Sequence, residues 1–143
     1  MLISLPPVLV DTREKLPWTF FKRWRRAHLD AGDYTLAGLG KQFAIERKGS
    51  VGELVANFTH DWPRFEASLK RLQTRKHRAI IVEASFAQVL RGSTFSRAPD
   101  SLILGRITYI QLHMDIPMFF LGRMASVWVP FIFSRFYQQL KEK

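Results

Sequence analysis

Short apolar runs alternate with glycine-containing breaks in the first third of the chain, a pattern that predicts strands. Strands are predicted at residues 8–10, 33–36 and 43–46. The connection at 37–42 contains two glycines, which favours a hairpin between the second and third of these strands. Residues 14–30 mix aromatic and basic side chains without a recognisable period, so no element is assigned there.

The rest of the chain is predicted to be mainly helical. Ser50-x-x-Glu53 matches a capping box that opens one helix. Apolar residues at spacings of three, four and three then indicate an amphipathic helix from Trp62 to Leu72. The remaining predicted elements are, in chain order, a strand at 79–83, a helix at 86–91, a loop to Asp100, a helix at 101–114, a strand at 117–121 and a helix at 124–141. This order favours an α/β fold, with a central mixed β-sheet flanked by α-helices, in one domain over residues 1–143.

The last two predicted helices, 101–114 and 124–141, are apolar on more than one side. Helices of this kind are buried all round or bury a second face against a partner. A large monomeric core and a homodimer therefore both remain open. Pro130 is expected near the start of the final helix or at a kink within it.

The charge of the chain indicates that this α/β domain binds a polyanion. The 22 Lys and Arg residues against 12 Asp and Glu residues give a net charge of +10, which favours nucleic acid ahead of an anionic membrane. A basic protein with a merely solvated surface is the alternative. The candidate DNA-binding residues form two clusters, Lys22, Arg23, Arg25 and Arg26 in the first, and Lys70, Arg71, Arg75, Lys76 and Arg78 in the second.

Several classes of protein are excluded or disfavoured by composition. The absence of cysteine rules out disulfides and cysteine-ligated zinc. The first residues have neither a basic lead nor a long apolar run, so no signal peptide is predicted. Charged residues interrupt the most apolar region, 102–137, and no membrane span is expected there. These features suit a cytoplasmic protein.

Acidic and basic residues with catalytic potential gather around the predicted hairpin. Side chains alternate along a strand, so Glu46 and Lys48 share one face while Arg47 points to the other. Asp33 lies beside Glu46 if the hairpin register allows it, and Asp11 could supply a third carboxylate. Mg²⁺ is typically held by one or two carboxylates with water and phosphate oxygens. The alternative is a surface ion pair worth less than about 1 kcal/mol.

Ordered segments of the chain resemble the nuclease domain of the XPF family of structure-specific endonucleases. The segments are VDTRE at 10–14, LDAGDYTL at 29–36 and IERKGSVGEL at 45–54. They contain the family's GD and ERK motifs as Gly32-Asp33 and Glu46-Arg47-Lys48. A Trp-x-x-Phe-Glu helix at 62–66 and an IIVE strand at 80–83 continue the match, which extends from about residue 8 to residue 140.

The resemblance implies a restriction-endonuclease-like fold and cleavage of branched DNA, such as flaps and forks, with Mg²⁺ or Mn²⁺. Asp33 and Glu46 would be metal ligands, with Asp11 completing or supporting the metal site. Lys48 would be the catalytic base or would stabilise charge in the transition state.

The remaining charged residues of these motifs have two interpretations. The resemblance assigns Arg13, Glu14 and Arg47 to phosphate contacts or to support of the metal ligands. Because Arg47 points away from the face of Glu46, an ion pair with Glu14 explains it equally well.

The chain departs from the family pattern at one acid and in its length. The family's Asp after ERK falls on Gly52, and Glu53 is either its substitute as a metal ligand or the capping partner of Ser50. The helix-hairpin-helix and helicase domains of family members have no counterpart here. This stand-alone arrangement is one associated with bacteriophages and prophages.

Family nuclease domains dimerise through their C-terminal helices, so the resemblance implies a homodimer. Two alternatives to a branch-specific endonuclease remain. One is a catalytically inactive DNA-binding or dimerisation subunit, and the other is a site-specific or mismatch-directed nuclease on the same fold.

Overall fold

The computed structural model describes residues 4–95 and 97–142, apart from the side chains of 93–95. The described part contains six strands and five helices. The strands are β1 (Val8–Asp11), β2 (Trp24–Ala27), β3 (Tyr34–Leu36), β4 (Phe43–Lys48), β5 (His77–Val82) and β6 (Met118–Phe120). The helices are α1 (Val51–Phe58), α2 (Trp62–Gln73), α3 (Phe86–Phe95), α4 (Asp100–Leu112) and α5 (Ala125–Lys141).

The six strands form one mixed sheet in the order β2-β1-β3-β4-β5-β6. β3 runs antiparallel to both of its neighbours, and the other pairings are parallel. β1, β4 and β5 therefore all end at one edge, called here the carboxyl edge, and begin at the opposite amino edge. The predicted mixed sheet flanked by helices is confirmed.

The two faces of the sheet carry separate cores. One is built with residues of α1 to α4, and the other with α5 and the aromatic side chains of Trp18 and Phe21. β4 serves both, since Ala44 packs into the first core while Phe43 and Ile45 pack into the second. This alternation follows from the two-residue period of a strand.

Sequence patterning missed one strand, β2. It lies at the sheet edge within residues 14–30, where Trp24 pairs with Val8 in parallel register. Arg25 and Arg26 are both exposed, so the strand shows no apolar alternation that could reveal it. Charged side chains on an edge strand also discourage pairing with another sheet.

Other boundaries differ modestly from expectation. α3 continues to Phe95, beyond the predicted end at 91. Residue 96, which falls in the loop predicted before Asp100, lies outside the described residues. Pro130 sits inside α5, one of the two positions expected for it. Within the described residues, no helix has the length and apolar character needed to cross a bilayer.

Candidate active site

A glycine allows Asp33 to lie against β4. Gly32 has a φ of +71°, and a Cβ at this position would stand 2.9 Å from the Ile45 carbonyl oxygen. The Asp33 N–H donates to that same carbonyl at 2.7 Å. In turn the Asp33 carboxylate accepts from the Arg47 N–H at 2.8 Å. The GD motif thus places an acid directly beside the strand that carries Glu46.

Glu46 and Lys48 share one face of β4, as the alternation predicted. Their residues are only 9% and 7% exposed. The Lys48 ammonium lies 3.1 Å from Glu46 Oε2 and 4.6 Å from the centre of the Phe65 ring. The pair is therefore largely shielded from solvent, unlike the exposed strand-end ion pair that the sequence left open.

Burial and mutual repulsion keep the two carboxyl groups from ionising easily. Burial, followed by the charge of Glu46, raises the pKa of Asp33 well above its ordinary value. Burial also raises the pKa of Glu46, although the neighbouring Lys48 ammonium opposes the shift. One ammonium does not fully compensate two carboxylates here.

Asp11 is held by partners of its own at the end of β1. It is 1% exposed and accepts from Arg13 Nε at 2.6 Å and from the Leu29 N–H at 3.0 Å. Burial raises the pKa of Asp11, but the Arg13 guanidinium and the backbone N–H groups outweigh it and leave the pKa lowered. The described residues include no group of three or more His, Cys, Asp or Glu placed to hold a metal ion. Asp11 nevertheless lies across the sheet from Asp33, because its N–H donates to the Asp33 carbonyl at 2.8 Å, so its support of a metal site stays a prediction.

Arg47 lies on the opposite face of β4 in a cluster with two acids. Its Nε is 2.6 Å from Glu83, its Nη1 is 3.2 Å from Glu14, and the guanidinium lies 5.0 Å from the Trp18 ring centre. Burial lowers the pKa of Arg47, but the hydrogen bond that it donates to Glu83 and further interactions with Tyr34 and Glu83 raise the pKa overall. The structure therefore contains the ion pair between Arg47 and Glu14 that was one of the two interpretations. Through this pair and its contact with Trp18, Arg47 connects residues 14–18 to the sheet.

Sequence reasoning did not single out Glu83 or Trp18 as part of this cluster. Trp18 Nε1 donates to Glu83 Oε1 at 2.5 Å. Glu83 ends the predicted 79–83 strand and the IIVE match, so its position was a usable signal. Trp18 fell in the unassigned segment, where no pattern could place it.

Glu53 caps α1. Its N–H donates to Ser50 Oγ at 3.1 Å, and its Oε1 accepts from the Gly49 N–H at 3.2 Å. This is the capping arrangement predicted as one of two alternatives, with Gly49 in place of Ser50 as the backbone donor. The charge of Glu53 nevertheless contributes to raising the pKa of Glu46. A Cβ at Gly52 would meet nothing within 4 Å.

A cleft opens at the carboxyl edge of the sheet, and Asp33, Glu46 and Lys48 are not among its lining residues. Its volume is about 470 Å³, and its lining includes Arg13, Arg47 and Glu53. The hydrogen bond with Asp11 is the main reason that the pKa of Arg13 is raised, and the charges of Asp33 and Glu46 add to the shift. Arg13 thus stands exposed near both carboxylates.

The two basic clusters begin at the amino edge of the sheet, where β2 and β5 start. Lys22 and Arg23 directly precede β2, and the 70–78 cluster runs from the end of α2 into the start of β5. At about 3.3 Å per residue, the five steps along β4 separate the two edges by roughly 17 Å. Sequence alone could not locate these clusters, because their position depends on the strand order.

The second cluster is also partly engaged in structure. Arg75 Nε donates to the Gly40 carbonyl at 2.8 Å, and Arg78 donates to several backbone carbonyls, including that of Arg75 at 2.9 Å. Lys70, Arg71 and Lys76 are exposed. These three are the members best placed to meet a ligand.

Comparison with known proteins places the fold. No family model matches the chain, and no curated protein sequence matches it. Similar solved structures include two at 20% sequence identity: XPF from Aeropyrum pernix in complex with DNA, with a TM-score of 0.64, and XPF from Aeropyrum pernix, with a TM-score of 0.65. The superposed part covers 96% of this chain and 68% of the first structure, and 92% of this chain and 61% of the second. The chain has the restriction-endonuclease-like fold of these XPF proteins, which confirms the resemblance at the level of the fold.

Proposed function

We propose that this protein is a divalent-metal-dependent DNA endonuclease that cuts branched DNA such as flaps, forks and junctions. The observation that carries the proposal is the pair of Asp33 and Glu46, whose pKa values are raised beside the buried ammonium of Lys48. The fold it shares with XPF from Aeropyrum pernix, one structure of which is described as a complex with DNA, supports the DNA part of the proposal.

The residues present fit a hard divalent cation. Asp33 and Glu46 provide two hard carboxylate donors in a pair that is short of positive charge, and Mg²⁺ needs only one or two carboxylates when phosphate and water complete its shell. Mn²⁺ accepts the same donors. When bound, the cation would polarise the scissile phosphodiester and acidify the attacking water.

The chain's own groups have distinct tasks in this proposal. Lys48, fixed between Glu46 and Phe65, would act in one of two ways: as the ammonium it would stabilise negative charge developing on the phosphate, and as the neutral amine it would accept a proton from the attacking water. Arg13 is exposed near both carboxylates and holds the adjacent phosphate. Arg47 maintains the cleft wall through Glu14 and Glu83.

One observation favours a second candidate, a DNA-binding subunit with little or no activity. The acid expected after ERK is missing at Gly52, and Glu53 is engaged by the Gly49 N–H. Only two carboxylates would then hold the cation.

The test is cleavage of labelled flap, fork, Holliday junction and linear duplex DNA in titrations of Mg²⁺ and Mn²⁺. We expect the parent chain to cut the branched substrates faster than the duplex. Asp33→Asn and Glu46→Gln should lose at least about 100-fold in rate, which corresponds to about 2.7 kcal/mol at the barrier. Asp30→Asn, at an exposed acid nearby in sequence, is the matched control and should cut like the parent.

Each part of the proposal has its own contrary result. Equal rates in the parent and both variants would reject the site. Equal cutting of duplex and branched DNA would support a site-specific or mismatch-directed nuclease instead. Tight flap binding without cutting at any metal concentration would support the inactive subunit.

We also propose that the protein forms a homodimer through α5. Exposed apolar side chains on and just before this helix, at Met124, Val127, Trp128 and Phe131, are 48% to 55% exposed at spacings of three, one and three. Such a stripe is typical of a helix face that a partner covers. Light scattering at micromolar concentration should give twice the mass of one chain, and Trp128→Glu should shift it towards the monomer. A monomeric parent would reject this proposal without affecting the active site.

A further inference from the structure

A second cavity lies between α5 and the residues that precede β1 and β2. Its volume is about 530 Å³, and its wall includes Phe20, Lys22, Arg23 and three residues of α5. The volume lies within the range of small-molecule sites. Val8, at the start of β1, also lines it, so the cavity lies toward the amino edge, away from Asp33 and Glu46.

The α5 wall of this cavity contains a buried hydroxyl that has no protein partner among the described residues, and a carbonyl that lacks its usual helical donor. Ser126, Pro130 and Ser134 occur every four residues and all face the cavity. Ser134 is 4% exposed, and its Oγ has no hydrogen-bond partner among the described residues. Pro130 has no N–H, so it cannot close the usual helical bond to the Ser126 carbonyl. The Ser134 hydroxyl is therefore left to meet something in the cavity, and the carbonyl of Ser126, an exposed residue, receives no helical bond from position 130.

Buried polar groups are normally paired, because an unpaired one loses the hydrogen bonds that water would give it. Ser134 offers such a buried donor–acceptor in a cavity with an aromatic wall, and the exposed Ser126 adds polar atoms on the same wall. Two exposed cationic residues, Lys22 and Arg23, also line the cavity. Arg23 Nη2 donates to the Leu5 carbonyl at 2.5 Å. An aromatic wall, polar groups within and cations outside match a nucleotide, which has a flat base with polar edges and a phosphate.

We propose that this cavity binds one unpaired nucleotide of a DNA strand, with the base against Phe20 and its edge at Ser134 and Ser126. The phosphate lies at Lys22 and Arg23. A base can enter such a cavity only when it is unstacked and unpaired, so the cavity would distinguish a branch or flap from a duplex. The inference extends the proposed function, because it supplies a source of branch selectivity separate from the metal site.

The test measures binding of a labelled twelve-nucleotide oligothymidine to the full chain in EDTA, where no cutting can occur. Ser134→Ala should weaken binding about threefold to tenfold, the effect of losing one hydrogen bond. It should leave binding of a blunt duplex unchanged and should not lower the Tm of the free protein. Pro130→Ala restores the N–H that closes the Ser126 carbonyl and should weaken oligothymidine binding similarly. Lys22→Gln should weaken it as well, while Lys41→Gln, at an exposed lysine outside the cavity wall, is the control for net charge.

Unchanged oligothymidine binding in both Ser134→Ala and Pro130→Ala would overturn the proposal. So would an equal loss for duplex and single strand, or a Ser134→Ala variant that changes only self-association, which would make the cavity part of a contact between copies. Binding of dTMP as tight as that of the oligothymidine and dependent on Ser134 would refute the assignment to a strand. The binding assay contains no metal and is therefore independent of cleavage. A chain that binds through Ser134 in EDTA but cuts no substrate in the separate Mg²⁺ and Mn²⁺ titrations would reject the proposed nuclease and leave this inference standing.

Discussion

Replacing Gly32 by alanine should damage both the fold and the acid pair, because Gly32 meets two constraints at once. Its φ of +71° belongs to the left-handed region, and a Cβ would lie 2.9 Å from the Ile45 carbonyl oxygen and 3.1 Å from Ala44 Cβ. Gly38 has a similar φ of +81° but nothing within 4 Å of an added Cβ. Gly38→Ala is therefore a matched control that adds the backbone strain without the collision.

The two variants should differ in stability by the cost of the collision. A left-handed alanine costs roughly 1–2 kcal/mol, of which about 0.4–1 kcal/mol is recovered because alanine restricts the unfolded chain. Gly38→Ala should thus lower the free energy of unfolding by about 0–1.6 kcal/mol. Crowding in a packed position adds typically 1–3 kcal/mol, so Gly32→Ala should lose about 1–4.6 kcal/mol.

Urea unfolding measures both losses, and metal titration measures the effect on the site. The backbone shift that relieves the collision moves Asp33, whose N–H binds the same Ile45 carbonyl at 2.7 Å. Weaker Mg²⁺-dependent stabilisation is therefore expected in Gly32→Ala and not in Gly38→Ala. Equal stability losses in the two variants would refute the steric argument. Unchanged metal response in a folded Gly32→Ala would refute the link from this glycine to the acid pair.

Three further substitutions probe the charges around the site. The pKa of Asp33 is raised in the folded chain, so its ionisation destabilises the fold as pH rises above the ordinary carboxyl pKa of about 4. At pH 7 without metal, Asp33→Asn should therefore unfold at a higher urea concentration than the parent. The difference between the two urea midpoints should disappear at acidic pH. The pKa of Asp11 is lowered in the folded chain, so its carboxylate stabilises the fold above the ordinary carboxyl pKa, and this stabilisation is lost as pH falls through the lowered pKa. Asp11→Asn should lower the free energy of unfolding by about 1–3 kcal/mol at pH 7. It should also reduce the dependence of that free energy on pH in the acid range. Gly52→Asp fits open space in the first turn of α1 and should stabilise the helix by about 0.5–1 kcal/mol while tightening Mg²⁺ binding in calorimetry; looser binding would show that repulsion from Glu46 outweighs the added ligand.

Local patterns were enough to find most elements of the fold. The strand at β4 has an apolar run on two faces, and the helix α2 has a clear apolar stripe, so each is visible within its own segment. The capping box at Ser50 and Glu53 is likewise a local arrangement of two side chains and nearby N–H groups. β2 failed this approach because an exposed edge strand does not need an apolar face.

Local sequence patterns predicted only part of the candidate site. Alternation along β4 predicted that Glu46 and Lys48 lie together, since both belong to one strand. The roles of Asp11 and Arg47 depended on contacts across the sheet, where Asp11 found Arg13 and Leu29 and Arg47 found Glu83. Such contacts join segments that are distant in the sequence. No local periodicity encodes which of these segments become neighbours in the sheet.

The sequence by itself determined the chain's basic character, its mixed strands and helices, and the shared face of Glu46 and Lys48, because these depend on composition and short-range geometry. Only the tertiary structure decided that Asp33 lies beside β4, that the Asp11 carboxylate is engaged by Arg13, and that the basic clusters begin at the amino edge of the sheet. It also decided that Ser134 and Pro130 face a cavity beside Lys22. The physical reason is the same in each case: strand order and burial set which charges meet and which polar groups lose water, and these arise only when distant segments pack.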